Sequence, residues 1–278
     1  MTTSKVGTVS VTNPKRLVFE KEKISKLQVV QYYSQISKFI LPFLKNRPIS
    51  VIRCHGNING EKFFKKHAGE YEDVQQIKVG STAPYFYIQN KTQLIKQAQM
   101  GTIEFHTWVS CAKSINTPNM MIFDLDPDEN LPLKTLQKGV LQLKNVLDEL
   151  GLVSFLKTSG GKGYHVVVPL KNVKNYKILN QFASKIANFL EQTSNLFTTN
   201  IKKQNRKGKI FIDILRNKKG ATCASAYSLR ARQNAPISFP ISWDNLNKIA
   251  PNFITLKNYK KYLNNSWSNF FKVNQTIN

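Results

Sequence analysis

The chain has 278 residues and a hydrophobic share of 41%, enough to build one large domain or two small ones. Its formal charge of +25 argues for a polyanionic partner, while three scattered cysteines exclude a disulfide framework or a zinc knuckle. Neither a signal peptide nor a run of about eighteen apolar residues occurs, so we expect a soluble, cytoplasmic protein with no membrane partner.

Positive charge is spread along the whole chain, with 41 Lys and Arg against 16 Asp and Glu. Such a field attracts polyanions and raises their rate of encounter, so nucleic acid is the leading partner. An anionic membrane surface is the alternative, but no amphipathic helix of the basic interfacial type is found.

The first half of the chain mixes helices with short strands. A helical stripe runs from about Ser25 to Lys45 and ends at Asn46-Arg47-Pro48. Asn90 is expected to cap a short helix that stops near Gly101. Strands are expected at Ile49–Arg53, Tyr85–Ile88, Thr102–His106 and Met120–Leu125.

The second half continues the same mixture, with expected helices at Leu133–Leu150 and Val173–Gln192 and expected strands at Val153–Thr158, Tyr164–Val168 and Lys209–Leu215. Residues 1–10 look loose, and residues 242–278 look like a peripheral helical segment. No linker or repeat divides the sequence, so we predict a single domain over residues 1–278. Its predicted class is α+β, with a mixed or antiparallel central sheet flanked by helices.

An acidic strand end, Asn119-Met-Met-Ile-Phe-Asp-Leu-Asp-Pro-Asp128, is the most informative motif. Side chains alternate along a strand, so Asp124 and Asp126 share one face. Two adjacent carboxylates repel each other unless a cation lies between them, and Mg²⁺ or Mn²⁺ prefers such oxygen ligands. Asp-Pro-Asp is also good turn chemistry, so a plain turn is the alternative.

Asp213 is a lone carboxylate in the apolar strand Lys209–Leu215 and needs a cation or a donor. Together with the acidic pair it would complete the three carboxylates that hold two metals about 4 Å apart for displacement at phosphorus. A salt bridge to Arg216 or Arg230 is the alternative.

The turn Ser159-Gly-Gly-Lys-Gly163 lies between two predicted strands. Its glycines allow backbone amides to approach a phosphate, and Lys162 supplies charge, although the spacing is not that of a P-loop. By itself the turn is typical of an ordinary hairpin. Together with three carboxylates, His165 just after the turn and His106 at the end of the strand before the acidic pair, it predicts a triphosphate-binding site, whereas either histidine alone is more typical of a structural role.

Further cationic and aromatic residues suit phosphates and bases. Arg216, Arg230 and Arg232 follow Asp213 and present guanidinium forks that match phosphate oxygens, with surface solvation as the alternative. In Phe63-Phe64-Lys65-Lys66-His67 we expect one ring to stack on bases and the other to pack. Asn13-Pro-Lys-Arg16 and Lys26 provide donors near the start of the first helix, which itself attracts phosphate.

Several of these motifs occur together and in order: Val11-Thr-Asn-Pro-Lys-Arg16, Arg53 with Phe63-Phe64, Glu104-Phe-His-Thr-Trp108, Phe123-Asp-Leu-Asp-Pro127, Leu156-Lys-Thr-Ser-Gly-Gly-Lys-Gly163, Phe211-Ile-Asp-Ile-Leu-Arg-Asn217, Ala221-Thr222 and Tyr227-Ser-Leu-Arg-Ala-Arg232. From about residue 8 to 250 the chain resembles the polymerase domain of bacterial DNA ligase D, a branch of the archaeo-eukaryotic primase superfamily.

The resemblance implies a role for each matching residue. The metal-binding catalytic positions are Asp124, Asp126 and Asp213. The positions that hold the incoming nucleotide are His106, Ser159, Lys162, His165, Arg216, Arg230 and Arg232. The positions that match the pocket for a 5′-phosphate are Asn13, Lys15 or Arg16, and Lys26. Phe63 or Phe64 matches the ring that stacks on the template, with Arg53 beside it, and we expect Lys66 to contact the DNA backbone next to these rings.

The resemblance further implies an enzyme that extends primers at DNA gaps and double-strand breaks, prefers ribonucleoside triphosphates, uses Mn²⁺ or Mg²⁺ and acts with Ku in end joining. We would place such a protein in the bacterial cytoplasm, associated with the nucleoid through DNA. Two features depart from the family pattern. His106-Thr-Trp-Val-Ser-Cys111 stands where the family has His-Pro-Trp-Gly-Ser-Arg, and no K-x-D-G ligase motif is present, so sealing would need a ligase, separate or fused.

Three other functions fit parts of the sequence. A primase that starts chains without a primer is a variant of the same class. A two-metal nuclease or phosphoesterase could use the same carboxylates to activate water. A non-catalytic module that binds DNA ends would need only the basic surface.

Overall fold

A computed structural model describes residues 3–69, 72–264 and 266–277 of the chain. Within these residues there are four α-helices: α1 (Lys26–Leu44), α2 (Lys91–Gln99), α3 (Leu133–Glu149) and α4 (Tyr176–Thr193). Short 3₁₀ helices occur at Ala112–Ser114, Lys203–Arg206, Leu215–Asn217, Trp243–Asn245, Tyr259–Tyr262 and Phe270–Lys272.

The strands of the same residues are β1 (Thr3–Val6), β2 (Val9–Thr12), β3 (Leu17–Phe19), β4 (Ile24–Ser25), β5 (Ile49–Cys54), β6 (Lys62–Lys65), β7 (Gln75–Ile77), β8 (Tyr85–Tyr87), β9 (Thr102–Thr107), β10 (Met120–Pro127), β11 (Phe155–Thr158), β12 (Tyr164–Pro169), β13 (Phe197–Thr198), β14 (Ile210–Asp213), β15 (Cys223–Ala224), β16 (Ser228–Leu229), β17 (Ile237–Ser238) and β18 (Pro240–Ile241).

The chain forms two compact units, each made of separate segments. Unit 1 comprises Met1–Trp108, Thr222–Ser238 and Thr255–Lys261, and unit 2 comprises Val109–Ala221, Phe239–Ile254 and Tyr262–Asn278. The α+β class is confirmed. In place of the one central sheet we expected, each unit has its own larger sheet, because pairing joins strands that are distant in sequence. A single domain over the whole chain stays a prediction.

Unit 1 is built around an antiparallel sheet of order β15-β9-β5-β8-β7, with β6 also paired to β5. The long helix α1 begins where the sequence predicts, because Ser25 and Gln28 form a capping box at its first turn. Its apolar face is buried, and Tyr33 contacts Phe105 of β9 edge to face, with ring centroids 4.9 Å apart. Helix α2 is capped by Asn90, as predicted.

Unit 2 is built around a mixed sheet of order β13-β14-β10-β12-β11-β18, in which only the β13–β14 pair is parallel among the described strands. The acidic strand β10 lies inside this sheet, between β14 and β12. Helices α3 and α4 pack against β12 and β10 and against each other. Gly151, with a φ of 70°, follows the end of α3, close to the predicted helix end at Leu150.

The expectations for the two ends of the chain were wrong for the described residues. Residues 3–10, expected to be loose, lie in the hairpin β1–β2, in which Val6 and Val9 are buried and Gly7 takes a φ of 58° in the turn. Met1 and Thr2 lie outside the described residues.

The tail after Ser242 forms short 3₁₀ turns where we expected a peripheral helix. Its last part is anchored rather than peripheral, because Trp267 is buried, donates from its indole nitrogen to the Leu156 carbonyl at 3.0 Å and contacts Phe155. The tail is therefore held by buried aromatic side chains within unit 2 and not by the apolar face of a regular helix. Among the described helices, none has the length and apolar character that crossing a membrane requires.

Candidate active site

Four adjacent strands of unit 2 place a row of ionisable side chains across the sheet. Asp124 of β10 is paired with Asp213 of β14 on one side and with His165 of β12 on the other, and His165 is paired in turn with Lys157 of β11. Paired residues of antiparallel strands have Cα atoms about 4.5–5.5 Å apart. The register therefore makes neighbours of two predicted carboxylates, Asp124 and Asp213, that the sequence separates widely.

Asp126 lies two residues further along β10, and alternation puts it on the same face as Asp124. Its side chain is exposed, at the end of the strand where Pro127 follows. A cleft of 370 Å³ opens beside it, lined by Asp126, Pro127, Asp128, Glu129, Lys162, Lys203 and Arg206. Asp124 and Asp213 thus lie side by side, with Asp126 two residues further along β10 in a cleft lined by both acidic and basic side chains.

Cationic and proton-donating groups surround Asp124, whose side chain is 17% exposed. His165 Nε2 lies 3.2 Å from one carboxylate oxygen, and Arg216 Nε lies 3.4 Å from the other. Lys157 contacts His165 Nδ1. Burial disfavours the ionised carboxylate, but the charges of His165 and Arg216 outweigh it and hold the pKa of Asp124 well below its usual range.

Arg216 also reaches Asp213, with Nη2 3.2 Å from Oδ2, so one guanidinium spans both carboxylates. Asp213 therefore forms the salt bridge to Arg216 that was its alternative role, and it also lies beside Asp124, while its role as a metal ligand stays a prediction. Across the residues that the structure describes, no group of three or more His, Cys, Asp or Glu side chains is arranged around a common point as metal ligands. The donor set suits a divalent cation, since two adjacent carboxylates already share a positive charge.

The turn Ser159–Gly163 is organised by its own serine. The Ser159 hydroxyl accepts from the amides of Gly161 at 3.0 Å and Gly163 at 3.3 Å, and Lys162 forms an exposed ion pair with Glu129 at 2.5 Å. Gly163 lies so close to β10 that a Cβ there would stand 1.9 Å from the carbonyl oxygen of Leu125. Only glycine allows this approach, which seats the turn against the acidic strand.

Unit 1 holds three of the residues predicted to bind nucleotide. His106 donates from Nε2 to Glu104 at 2.9 Å, and Arg230 donates from Nε to the same carboxylate at 2.8 Å. Burial opposes ionisation of Glu104, but these partners and the Ala231 amide lower its pKa from 4.5 to about 2. Arg232 is exposed. The sequence analysis gave Glu104 no role, although its position two residues before His106 on one strand face was a signal for contact.

Arg53 lies in a buried ionic cluster rather than on an open surface. It donates to both carboxylate oxygens of Glu72, at 3.0 and 2.8 Å, and to Gln97 at 2.8 Å. Lys65 contacts the same carboxylate at 2.5 Å. Glu72 thereby fastens the segment after β6 to the sheet, a contact that the sequence analysis missed, and the DNA-binding role of Arg53 stays a prediction.

The aromatic pair on β6 is exposed on both faces of its strand. Phe63 is 38% exposed and contacts His55 edge to face, and Phe64 is 55% exposed with the Lys66 ammonium 5.7 Å from its ring centroid. Neither ring is buried, so our expectation that one of the two packs was wrong; among the described strands β6 pairs only with β5 and therefore lies at an edge of the sheet.

The predicted phosphate-binding donors gather where α1 begins. The turn Asn13–Arg16 is tied to the helix because Lys26 N donates to the Arg16 carbonyl and Leu27 N donates to Pro14. Lys26 is buried, and its ammonium contacts Gln99 at 2.5 Å and Thr12 at 3.2 Å. Burial and the nearby charge of Arg16 lower the pKa of Lys26 to about 8. Arg16 Nε is buried and has no hydrogen-bond partner, and Lys15 is exposed.

The α+β fold and the acidic strand beside a glycine turn agree with a polymerase-type nucleotidyltransferase. A family model described as the LigD primase-polymerase domain matches residues 25–270. The chain belongs to this family of primase-polymerase domains.

Two curated relatives and one solved structure agree with this assignment. The multifunctional non-homologous end joining protein LigD of Pseudomonas aeruginosa is 36% identical over 247 residues, which are 87% of this chain and 29% of the relative. The bifunctional non-homologous end joining protein LigD of Bacillus subtilis is 30% identical over 235 residues, 84% of this chain and 38% of the relative. The chain thus spans about a third of the length of these relatives.

The polymerase domain of Mycobacterium tuberculosis ligase D, solved in complex with DNA, superposes with a TM-score of 0.85 at 24% identity. The superposition covers 92% of this chain and 94% of that one, and it establishes the primase-like fold that the resemblance implied.

Proposed function

We propose that this chain is a DNA-dependent nucleotidyltransferase that fills gaps and extends primer ends at double-strand breaks in bacterial non-homologous end joining, with a preference for ribonucleotides. The observation that carries the proposal is the pairing of Asp124 with Asp213 across β10 and β14, with Asp126 on the same face. Three carboxylates at one strand end suit phosphoryl transfer. The names of the LigD relatives supply the repair context.

Asp124, Asp126 and Asp213 would hold two Mn²⁺ or Mg²⁺ ions. When bound, such ions activate a primer hydroxyl and neutralise the triphosphate. His165 orients Asp124 by a hydrogen bond, and Arg216 offsets the repulsion between Asp124 and Asp213 until other cations take that part.

In unit 2, the incoming triphosphate would be held by Ser159, Lys162, His165 and Arg216. The exposed ammonium of Lys162 can leave Glu129 for a phosphate, because an exposed ion pair contributes little to stability. In unit 1, we assign nucleotide binding to His106, Arg230 and Arg232 on the strength of the family resemblance.

For DNA binding, the exposed rings of Phe63 and Phe64 would stack on template bases, and the nearby Lys66 and Arg53 would contact the DNA backbone. Asn13, Lys15, Arg16 and Lys26 would bind a 5′-phosphate. The orphaned Arg16 Nε supports this assignment. The pKa of Lys26 is lowered first by burial and then by the charge of Arg16, and an anion would offset the repulsion between these two cations. We further propose Ku and a ligase, separate or fused, as partners, and a place at the nucleoid.

Primer extension tests the proposal directly. A gapped duplex with a labelled primer is incubated with rNTPs or dNTPs and Mn²⁺, with and without a 5′-phosphate across the gap. We expect lengthening that is faster with rNTPs and with the phosphate. Shortening of the primer would instead support the nuclease alternative, and products made without a primer would support the primase variant.

A second test uses Asp124→Asn, which removes a charge and keeps the shape of the side chain. We expect this variant to bind the gapped duplex as the wild type does and to lose extension. Loss of extension with unchanged binding excludes a pure DNA-binding module, whereas extension at the wild-type rate would refute the assignment of Asp124.

A further inference from the structure

Glu104 is a buried carboxylate that contacts two proposed nucleotide-binding residues at once. Its side chain is 4% exposed. One oxygen, Oε2, accepts from His106 Nε2 at 2.9 Å and from Arg230 Nε at 2.8 Å, and the other accepts from the Ala231 amide at 2.7 Å. A single acid thus joins β9 to the segment that carries Arg230.

The backbone explains why these groups meet. Glu104 and His106 are two residues apart on β9, so their side chains leave the same face of the sheet. The strand is flanked by β5 and β15, which pair with His106 through Ser50 and Ala224. Small residues therefore oppose His106 on both neighbouring strands, and the hydrogen bond to Glu104 contributes to the orientation of the imidazole ring.

An ionised carboxylate can only accept hydrogen bonds, so the proton at the contact with His106 is on Nε2. Any hydrogen bond of this ring to a nucleotide then has to be made through Nδ1. Arg230 is similarly held by its Nε edge, which fixes the plane of the guanidinium. Without a negative charge between them, the two groups would lose both their orientation and the attraction that keeps them side by side.

We propose that Glu104 is a positioning residue for nucleotide binding, which presents His106 through Nδ1 and fixes the plane of Arg230. This inference rests on the proposed function, since it takes His106 and Arg230 to contact the incoming nucleotide. A buried acid that serves the fold alone would give the same hydrogen bonds, so the tests must measure more than stability.

The first test is steady-state extension by Glu104→Gln, which keeps the shape and removes the charge. We expect the KM for the nucleoside triphosphate to rise on the order of tenfold, the size typical of a lost charge-assisted hydrogen bond, with kcat changed by less than about twofold. Glu191→Gln is the matched control, because Glu191 accepts from Thr198 and Thr199 and contacts none of the proposed site residues. Its KM should equal that of the wild type.

A double-mutant cycle with His106→Ala separates positioning from folding. If Glu104 acts through His106, the KM effect of Glu104→Gln should shrink at least severalfold in the His106→Ala background. An unchanged KM in folded Glu104→Gln, or an effect of the same size in both backgrounds and in an Arg230→Ala background, would overturn the proposal.

A second measurement needs no variant of Glu104. Long-range ¹H–¹⁵N spectra of the wild-type protein report which nitrogen of each of the four histidines carries the proton, and His106→Ala assigns the signal. We expect the Nε2–H form, with Nδ1 shifting when a non-hydrolysable rNTP is added. A Nδ1–H form, or a shift confined to Nε2, would refute the inference. Failure of the wild-type protein to extend any primer would instead count against the proposed function.

Discussion

Replacing Gly163 by alanine should misplace the turn that lies against the acidic strand. The new Cβ would stand 1.9 Å from the Leu125 carbonyl oxygen and 2.9 Å from its carbonyl carbon, whereas real Cβ contacts essentially never fall below 3.0 Å. The backbone of the turn must therefore retreat from β10 by about 1.1 Å. Both atoms belong to the main chain of a central strand, so no flexible side chain can move aside instead.

That displacement has consequences for both stability and activity. It strains the hydrogen bonds between Ser159 and Gly163, of 3.1 and 3.3 Å, and moves the start of β12, which carries His165 beside Asp124. Overpacking of this kind costs typically about 1–3 kcal/mol, and we expect the upper end. At roughly 2–4 °C per kcal/mol for a protein near this size, Tm should fall by about 6–12 °C.

Thermal unfolding followed by circular dichroism measures the first effect, and primer extension by the purified, folded variant measures the second. Gly69→Ala is the control, since its Cβ would meet its nearest atom, a Glu72 carboxylate oxygen, at an ordinary 3.4 Å. A Gly163→Ala protein with wild-type Tm and extension rate would show that the turn is not seated against β10 as described.

Three further predictions follow from the ionic contacts. A 5′-phosphate should strengthen binding of a gapped duplex less as pH rises through about 8, because Lys26 then loses its charge. The Lys26→Arg variant should retain this advantage of the 5′-phosphate to higher pH. A wild-type protein whose advantage does not change with pH would contradict the assignment. Burial raises the pKa of Glu72, but Arg53, Gln97 and Lys65 together lower it from 4.5 to about 2, so its stabilisation is present above pH 4.5 and is lost as pH falls towards 2. Glu72→Gln should therefore cost roughly 3 kcal/mol at pH 7 and much less at pH 3 by denaturant unfolding, and an equal cost at both pH values would refute this. Arg216→Ala should lower Tm in the absence of divalent cations, because it leaves Asp124 and Asp213 without the guanidinium that spans them. Added Mn²⁺ should then raise the Tm of this variant more than that of the wild type, since a metal can replace the guanidinium. An equal rise in both proteins would contradict that exchange.

The sequence predicted the helices well because their signals are local. Helix α1 begins next to Ser25, Asn90 caps α2, and α3 ends beside Leu150, all close to the predicted positions. Strand pairing is set by contacts between distant segments, so the presence of two sheets did not follow from the strands alone. The hairpin β1–β2 was missed because its two strands have only four residues each.

In the candidate site, too, the features with local sequence signals were predicted and those that depend on distant contacts were not. Alternation along one strand placed Asp124 and Asp126 on a common face without any tertiary information. The neighbouring position of Asp213 depends on the register of β10 with β14, for which the sequence has no local signal. Glu72, Glu104 and Lys157 were missed because a buried charge and a surface charge look alike in a sequence.

The most direct test of the three-carboxylate centre is anomalous X-ray scattering from crystals that contain Mn²⁺ and a non-hydrolysable ribonucleoside triphosphate. We predict two manganese peaks about 4 Å apart among Asp124, Asp126 and Asp213, with Arg216 moved off the two carboxylates it spans here. Crystals that hold the triphosphate with no manganese at these aspartates, or with manganese bound elsewhere, would contradict the account.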